Sequence, residues 1–179
     1  MITLRKGAKL FYEYLNAGWI SPPMESTFTT STSYDDEEDI VYPVEEIYAK
    51  RCKNSTFARK IRKYKEVEII CDSARPDNIA EMADWGFNVV GAVKRWKDKG
   101  RAYSWEWLQQ ANKIVVDKER TPHLYAELTS LEFTQLKDGT FSSEYPTLDE
   151  DCTMALIYAL NRIIREHVRE AEYIDDYEE

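Results

Sequence analysis

Two places in the chain set acids where a metal ion could be held. Asp72 follows the short apolar run Val67-Glu68-Ile69-Ile70-Cys71 and opens the loop Ser73-Ala74-Arg75-Pro76. Much later, Asp149-Glu150-Asp151 stand directly before a stretch with an apolar stripe. Hydrolysis of a phosphodiester by two metal ions needs several carboxylates converging on one point, with the ions about 3.5–4 Å apart to activate water and stabilise the leaving oxygen. Hard cations such as Mg²⁺ and Mn²⁺ prefer oxygen ligands, which Asp72 and Asp151 could supply. Each place also has a purely structural reading. Asp72 could cap a loop, and acids are favoured at a helix start by the helix dipole. Glu150 could complete a capping box with Thr147. Histidine is not central, because His123 and His167 are the only two and neither lies near a motif. Cys52, Cys71 and Cys152 are scattered and odd in number, without metal spacing, and read as reduced thiols.

A net charge of −9 argues at first against a nucleic-acid partner, but its distribution is uneven. Asp35 to Asp39 is five acids in a row, and Glu170 to Glu179 holds six acids and no base. Without those eleven charges the remainder carries +2. Lys50 to Lys65 contains eight Lys or Arg and no acid, and Lys94 to Arg101 contains five bases against Asp98. Such runs are either solvated helix faces or surfaces that track phosphates. In the second run the DNA-contact candidates are Lys94, Arg95, Lys97, Lys99 and Arg101.

These residues need elements to position them. Lys9 to Asn16 alternates with a period of two and predicts a strand ending at Asn16. Glu25 to Tyr34 and Asp39 to Tyr48 predict a hairpin about the acidic turn, with Pro43 favouring an edge position for the second strand. From there the pattern alternates. Helices are expected over Ser55 to Tyr64, Pro76 to Trp85, Arg101 to Gln110 and Pro122 to Ser130. Strands are expected over Val67 to Cys71, Asn88 to Val93 and Lys113 to Val116. Pro76 suits a first helical turn and Gly86 a helix end. Leu131 to Leu136, with the segment after Lys137-Asp138-Gly139, suggests a further hairpin. A long helix should run from Glu150 to about Glu170 with Cys152, Leu156, Leu160, Ile163 and Ile164 on its apolar side. This order predicts one α/β domain over 1–170 with a mixed sheet flanked by helices, and an acidic, disordered tail over 171–179. No run reaches the roughly 18 apolar residues of a membrane span, and no signal-peptide core follows the first residues, so a cytoplasmic protein is expected. No Gly-Lys-Ser or Gly-Lys-Thr phosphate loop is present, so no ATP motor is expected in this chain.

Asp72-Ser73-Ala74-Arg75-Pro76-Asp77-Asn78-Ile79 resembles the Asp-Ser-Ala-x-Pro segment of phage terminase large subunits, with Arg75 where that family often has Glu. Trp85 to Lys94 is similar to the family's next strand and basic loop. Leu124 to Gly139, with Glu127-Leu128, resembles its late helix and hairpin, and Asp149 to Leu156 the acidic start of its last helix. The resemblance is strongest from about Asp39 to Leu160, and order and spacing carry it more than any one motif.

The resemblance implies an RNase H-like fold and a two-metal DNA endonuclease, using Mg²⁺ or Mn²⁺, that cuts concatemeric double-stranded phage DNA during packaging in the host cytoplasm. It implies as partners the terminase ATPase part, the portal and the small terminase subunit. Asp72 would be the second metal-binding acid and Asp151 the third, with Glu150 beside it. Besides Arg75, the chain departs from the family at two positions. Met154 stands where many members have a further Asp. Asn16 stands at the first catalytic acid, within Tyr14-Leu15-Asn16-Ala17-Gly18 where the family commonly has Asp-x-Gly. Either the site is degraded, or the chain is a split or rearranged gene product with its first acid elsewhere. The alternative function is a non-catalytic terminase fragment that binds DNA or docks on the motor. Another RNase H-like enzyme, such as a resolvase, fits the Asp-Ser-Ala-x-Pro segment less well.

Overall fold

The computed structural model describes residues 16–20, 26–50, 52–93, 100–131 and 151–167, with backbone alone at 16–20, 26–31, 50 and 100–101. Its elements, in chain order, are β1 (Asn16–Ile20), β2 (Ser26–Asp35), β3 (Ile40–Lys50), α1 (Asn54–Lys60), β4 (Ile69–Cys71), α2 (Pro76–Asp84), β5 (Val89–Gly91), α3 (Gly100–Gln110), β6 (Lys113–Ile114), α4 (Pro122–Ser130) and α5 (Asp151–Ala159). A 3₁₀ turn over Arg62–Tyr64 extends α1. A helical stretch over 161–167 extends α5, bridged by backbone bonds from Leu160 to Leu156 and from Ile164 to Leu160.

The six strands form one mixed sheet in the order β5-β4-β1-β2-β3-β6. The hairpin β1-β2-β3 is antiparallel, while β4 joins β1, β5 joins β4 and β6 joins β3 in parallel. Short strands alternating with helices produce the parallel parts, because a parallel connection needs a crossover. Pro43 is not on an edge strand, since β3 lies between β2 and β6. It is tolerated because the β2–β3 register shifts at Ser31/Thr32, a bulge that frees the ladder locally. In addition, β6 pairs only with Ile40 and Val41.

Helices cover both faces. On one, Phe57, Ile61 and Tyr64 of the α1 segment and Met82 of α2 pack on Ile69 and Cys71. On the other, Trp105 and Leu108 of α3, Leu124 of α4 and Leu156, Leu160 and Ile164 of the last helix pack with Val41 and Ile70. The two clusters divide β4 by its two-residue period, with Ile70 toward α5 and its neighbours toward α1 and α2. Gly86 ends α2 with φ 80°, the left-handed position that glycine accepts without strain. The hairpin after Leu131, Thr147 and Glu150 of the capping box, and the tail fall outside the described residues.

Candidate active site

Asp72 directly follows β4, at the carboxyl end of a parallel strand, where α/β sheets gather ligands. Its Oδ1 accepts the Ala74 N–H at 2.9 Å, which folds the loop back on the aspartate. That loop lies against β5. A Cβ on Gly91 would stand 3.3 Å from the Ser73 Cβ, so a larger residue at 91 would push on the segment carrying Asp72.

Asp151 is the first residue of α5. The turn it opens is held by a residue from another helix. Glu127 of α4, only 9% exposed, accepts the N–H groups of Cys152 at 2.9 Å and Thr153 at 2.7 Å through its two carboxylate oxygens. A helix start leaves its first N–H groups without intrahelical partners, and a carboxylate satisfies both the bonds and the dipole. The start of α4 is fixed in the same way. Glu46 of β3 accepts the N–H groups of His123 and Leu124, both at 3.0 Å, and pairs with the His123 ring Nδ1 at 2.5 Å. That ring stacks on Tyr48 at 4.2 Å between centroids. Two buried carboxylates thus link β3 to α4 and α4 to α5. Further along, Asn161 exchanges two hydrogen bonds with the Val93 backbone, fastening the last helix beside the exit of β5.

Cys71 and Cys152 flank the two acids in sequence. Burial, and then the charge of Asp72, raises the Cys71 thiol well above its usual range. Burial and then Glu127 do the same for Cys152. All three cysteines are free.

The strand expected over Lys9 to Asn16 lies outside the described residues except at Asn16 itself. As described, β1 covers Asn16–Ile20, with Trp19 opposite Cys71 in the parallel register. Asn16 therefore lies four positions before the residue level with Asp72, about 13 Å at roughly 3.3 Å per residue. Among the described residues no three His, Cys, Asp or Glu side chains come together as a metal-binding group. Glu150, Lys94, Arg95, Lys97 and Lys99 lie outside the described residues, and Arg101 is placed only as part of the α3 backbone. Sequence reasoning did not anticipate Glu46, Glu127 or Asn161. Each bonds across at least 25 positions, a separation at which periodicity carries no signal.

No protein-family model matches the chain. It is 27% identical over 133 residues to the terminase large subunit of Bacillus phage SPP1, covering 72% of this chain and 31% of that protein. In structure it is similar to the SPP1 large terminase nuclease domain with bound Mn, with a TM-score of 0.75, 23% identity and coverage of 83% of this chain and 86% of the other. The chain resembles the nuclease domain of phage terminase large subunits and shares its fold. The P22 large terminase nuclease domain has a TM-score of 0.62 at 10% identity, covering 84% and 81% of the two chains. The large terminase nuclease of thermophilic phage G20c with bound magnesium has a TM-score of 0.53 at 15% identity, covering 81% and 79%. The terminase-nuclease fold is RNase H-like, as the resemblance implies, and its mixed sheet flanked by helices is what the order of elements in the sequence predicts. The chain spans under a third of the length of the SPP1 protein. Among the described residues no helix is long and apolar enough to cross a membrane.

Proposed function

We propose that the chain is a divalent-metal-dependent DNA endonuclease, the nuclease domain of a phage terminase large subunit that cuts concatemeric viral DNA during packaging. The observation that carries this reading is Asp72 at the carboxyl end of β4, in a fold shared with terminase nuclease domains that bind Mn or magnesium. The donors fit Mg²⁺ or Mn²⁺ in kind, being hard carboxylate oxygens. In number they are few, and we assign Glu150 to join Asp72 and Asp151 as ligands. Asn16 is left out because of its register. Two bound ions would activate the attacking water and stabilise the leaving oxygen.

The chain's own residues have separate tasks. Asp72 is oriented by the Ala74 N–H, and Asp151 is presented by a turn that Glu127 pins. Lys94, Arg95, Lys97, Lys99 and Arg101 would hold the phosphate backbone at the rim, so binding would be tolerant of sequence and weaken with salt. The ATPase part of the terminase, the portal and the small subunit are the proposed partners, in the cytoplasm of the host.

A second reading is a terminase fragment that binds DNA or docks on the motor without cutting. It draws on Asn16, on Met154 and on the lack of a three-acid group among the described residues. Nicking of supercoiled plasmid separates the two. The first reading expects nicking in Mn²⁺ that stops on chelation, whereas binding without any metal-dependent nicking selects the second.

A further inference from the structure

We propose that α1 and the 3₁₀ turn after it form a second contact surface for the phosphate backbone of double-stranded DNA, on the face of the sheet opposite α5. Phe57, Ala58, Ile61 and Tyr64 are buried, so the rest of this segment is forced outward. What it presents is cationic: Lys53, Arg59, Lys60, Arg62 and Lys63 are all exposed. Lys63 is held by Glu45, and Arg59 donates to the neutral Thr56 hydroxyl. Lys53, Arg59, Lys60 and Arg62 form no ion pair with any described residue. Like charges one turn apart repel. Four within about three turns are an arrangement that an anionic partner relieves. DNA presents one negative charge per roughly 1.7 Å of helix axis.

Two features favour DNA over an acidic protein. No large apolar side chain is exposed on this segment, whereas the centre of a protein interface is apolar and poor in charge. The surface also leads toward the candidate active site. A cleft between α1 and α2 has Lys53 and Asn54 on one wall and Arg75, Asn78 and Glu81 on the other. Arg75 belongs to the loop that Asp72 opens, so a backbone followed along α1 arrives at that loop. The acids here are engaged: Glu81 accepts from Asn54 Nδ2 at 2.6 Å, and Asp77 pairs with Arg75 at 3.0 Å. This surface uses none of the bases Lys94 to Arg101 and does not depend on whether the chain cuts.

The test is the salt dependence of binding to a labelled DNA duplex of mixed sequence, read by fluorescence anisotropy on the full chain. R59Q/K60Q is compared with K113Q/K118Q, which removes the same charge from exposed positions elsewhere. R59Q/K60Q should bind more weakly, with a log–log salt slope shallower by about 1.8, because each phosphate contact contributes roughly 0.9. K113Q/K118Q should keep the original slope, and the charge-preserving R59K/K60R should recover it, which separates loss of contact from loss of fold. Equal losses in both neutral pairs, an unchanged slope in R59Q/K60Q, or no DNA binding by the unaltered chain overturns the assignment. The unchanged slope would instead leave the surface to an acidic protein.

Discussion

Asn16 shows how much one register decides. On resemblance alone it replaces a catalytic acid, and Asn16→Asp should restore a metal ligand. With Trp19 opposite Cys71, position 16 is too far down β1 to share an ion with Asp72. Asn16→Asp is therefore expected to leave Mn²⁺ affinity unchanged in a calorimetric titration, and a clear gain would contradict the β1–β4 register. The thiols give a second prediction. Cys71 and Cys152 are buried, and their raised pKa values leave little thiolate at pH 8. Alkylation depends on thiolate and access. The folded protein should show one fast-reacting thiol, Cys52, which is partly exposed, and two slow ones that become fast on unfolding. Rapid labelling of Cys152 in the folded state would mean that the start of α5 opens readily.

The element on which the site depends most is α5, and its start is fixed from outside. Glu127→Gln would replace one accepting oxygen by an amide NH₂, leaving a buried N–H of Cys152 or Thr153 without a partner. Loss of such a charge-assisted bond costs about 1–3 kcal/mol. Urea denaturation should show a loss of this size, together with slower nicking as Asp151 loses its fixed turn. Unaltered stability would mean that the first turn is held by something else. Most helices and strands were legible from apolar periodicity, and Pro76 and Gly86 mark the two ends of α2 as their backbone preferences require. Asp72 was legible because it follows a short apolar strand and opens a proline-containing loop. Glu127 as the anchor of α5 was not, because the bond joins residues 25 positions apart and only the tertiary fold brings them together. Pro43 misled for a related reason. Its ring excludes an ordinary ladder position, but a bulge within β3 accommodates it as well as an edge does.

Across the whole molecule, the charge of −9 conceals a division of labour. Two acidic runs carry the excess, and the bases concentrate on α1 with its following turn and on the Lys94–Arg101 segment. If the second segment is the rim of the cutting site, K94A/R95A should weaken DNA binding and flatten the salt slope by about 1.8. Nicking at saturating DNA should fall less than nicking at limiting DNA. An intact slope would confine the backbone contacts to α1. The mixed sheet buries an apolar cluster on each of its two faces, and the fold is shared with a nuclease domain only 23% identical in sequence. On the proposed function, this fold cuts DNA with a metal held at Asp72. The most direct measurement is the rate of supercoiled-plasmid nicking at saturating Mn²⁺ by the unaltered chain and by Asp72→Asn, which keeps the shape of the side chain and removes its charge. Metal-dependent nicking is expected from the first and none above background from the second. Equal rates in the two proteins, or nicking that persists under chelation, would contradict that function.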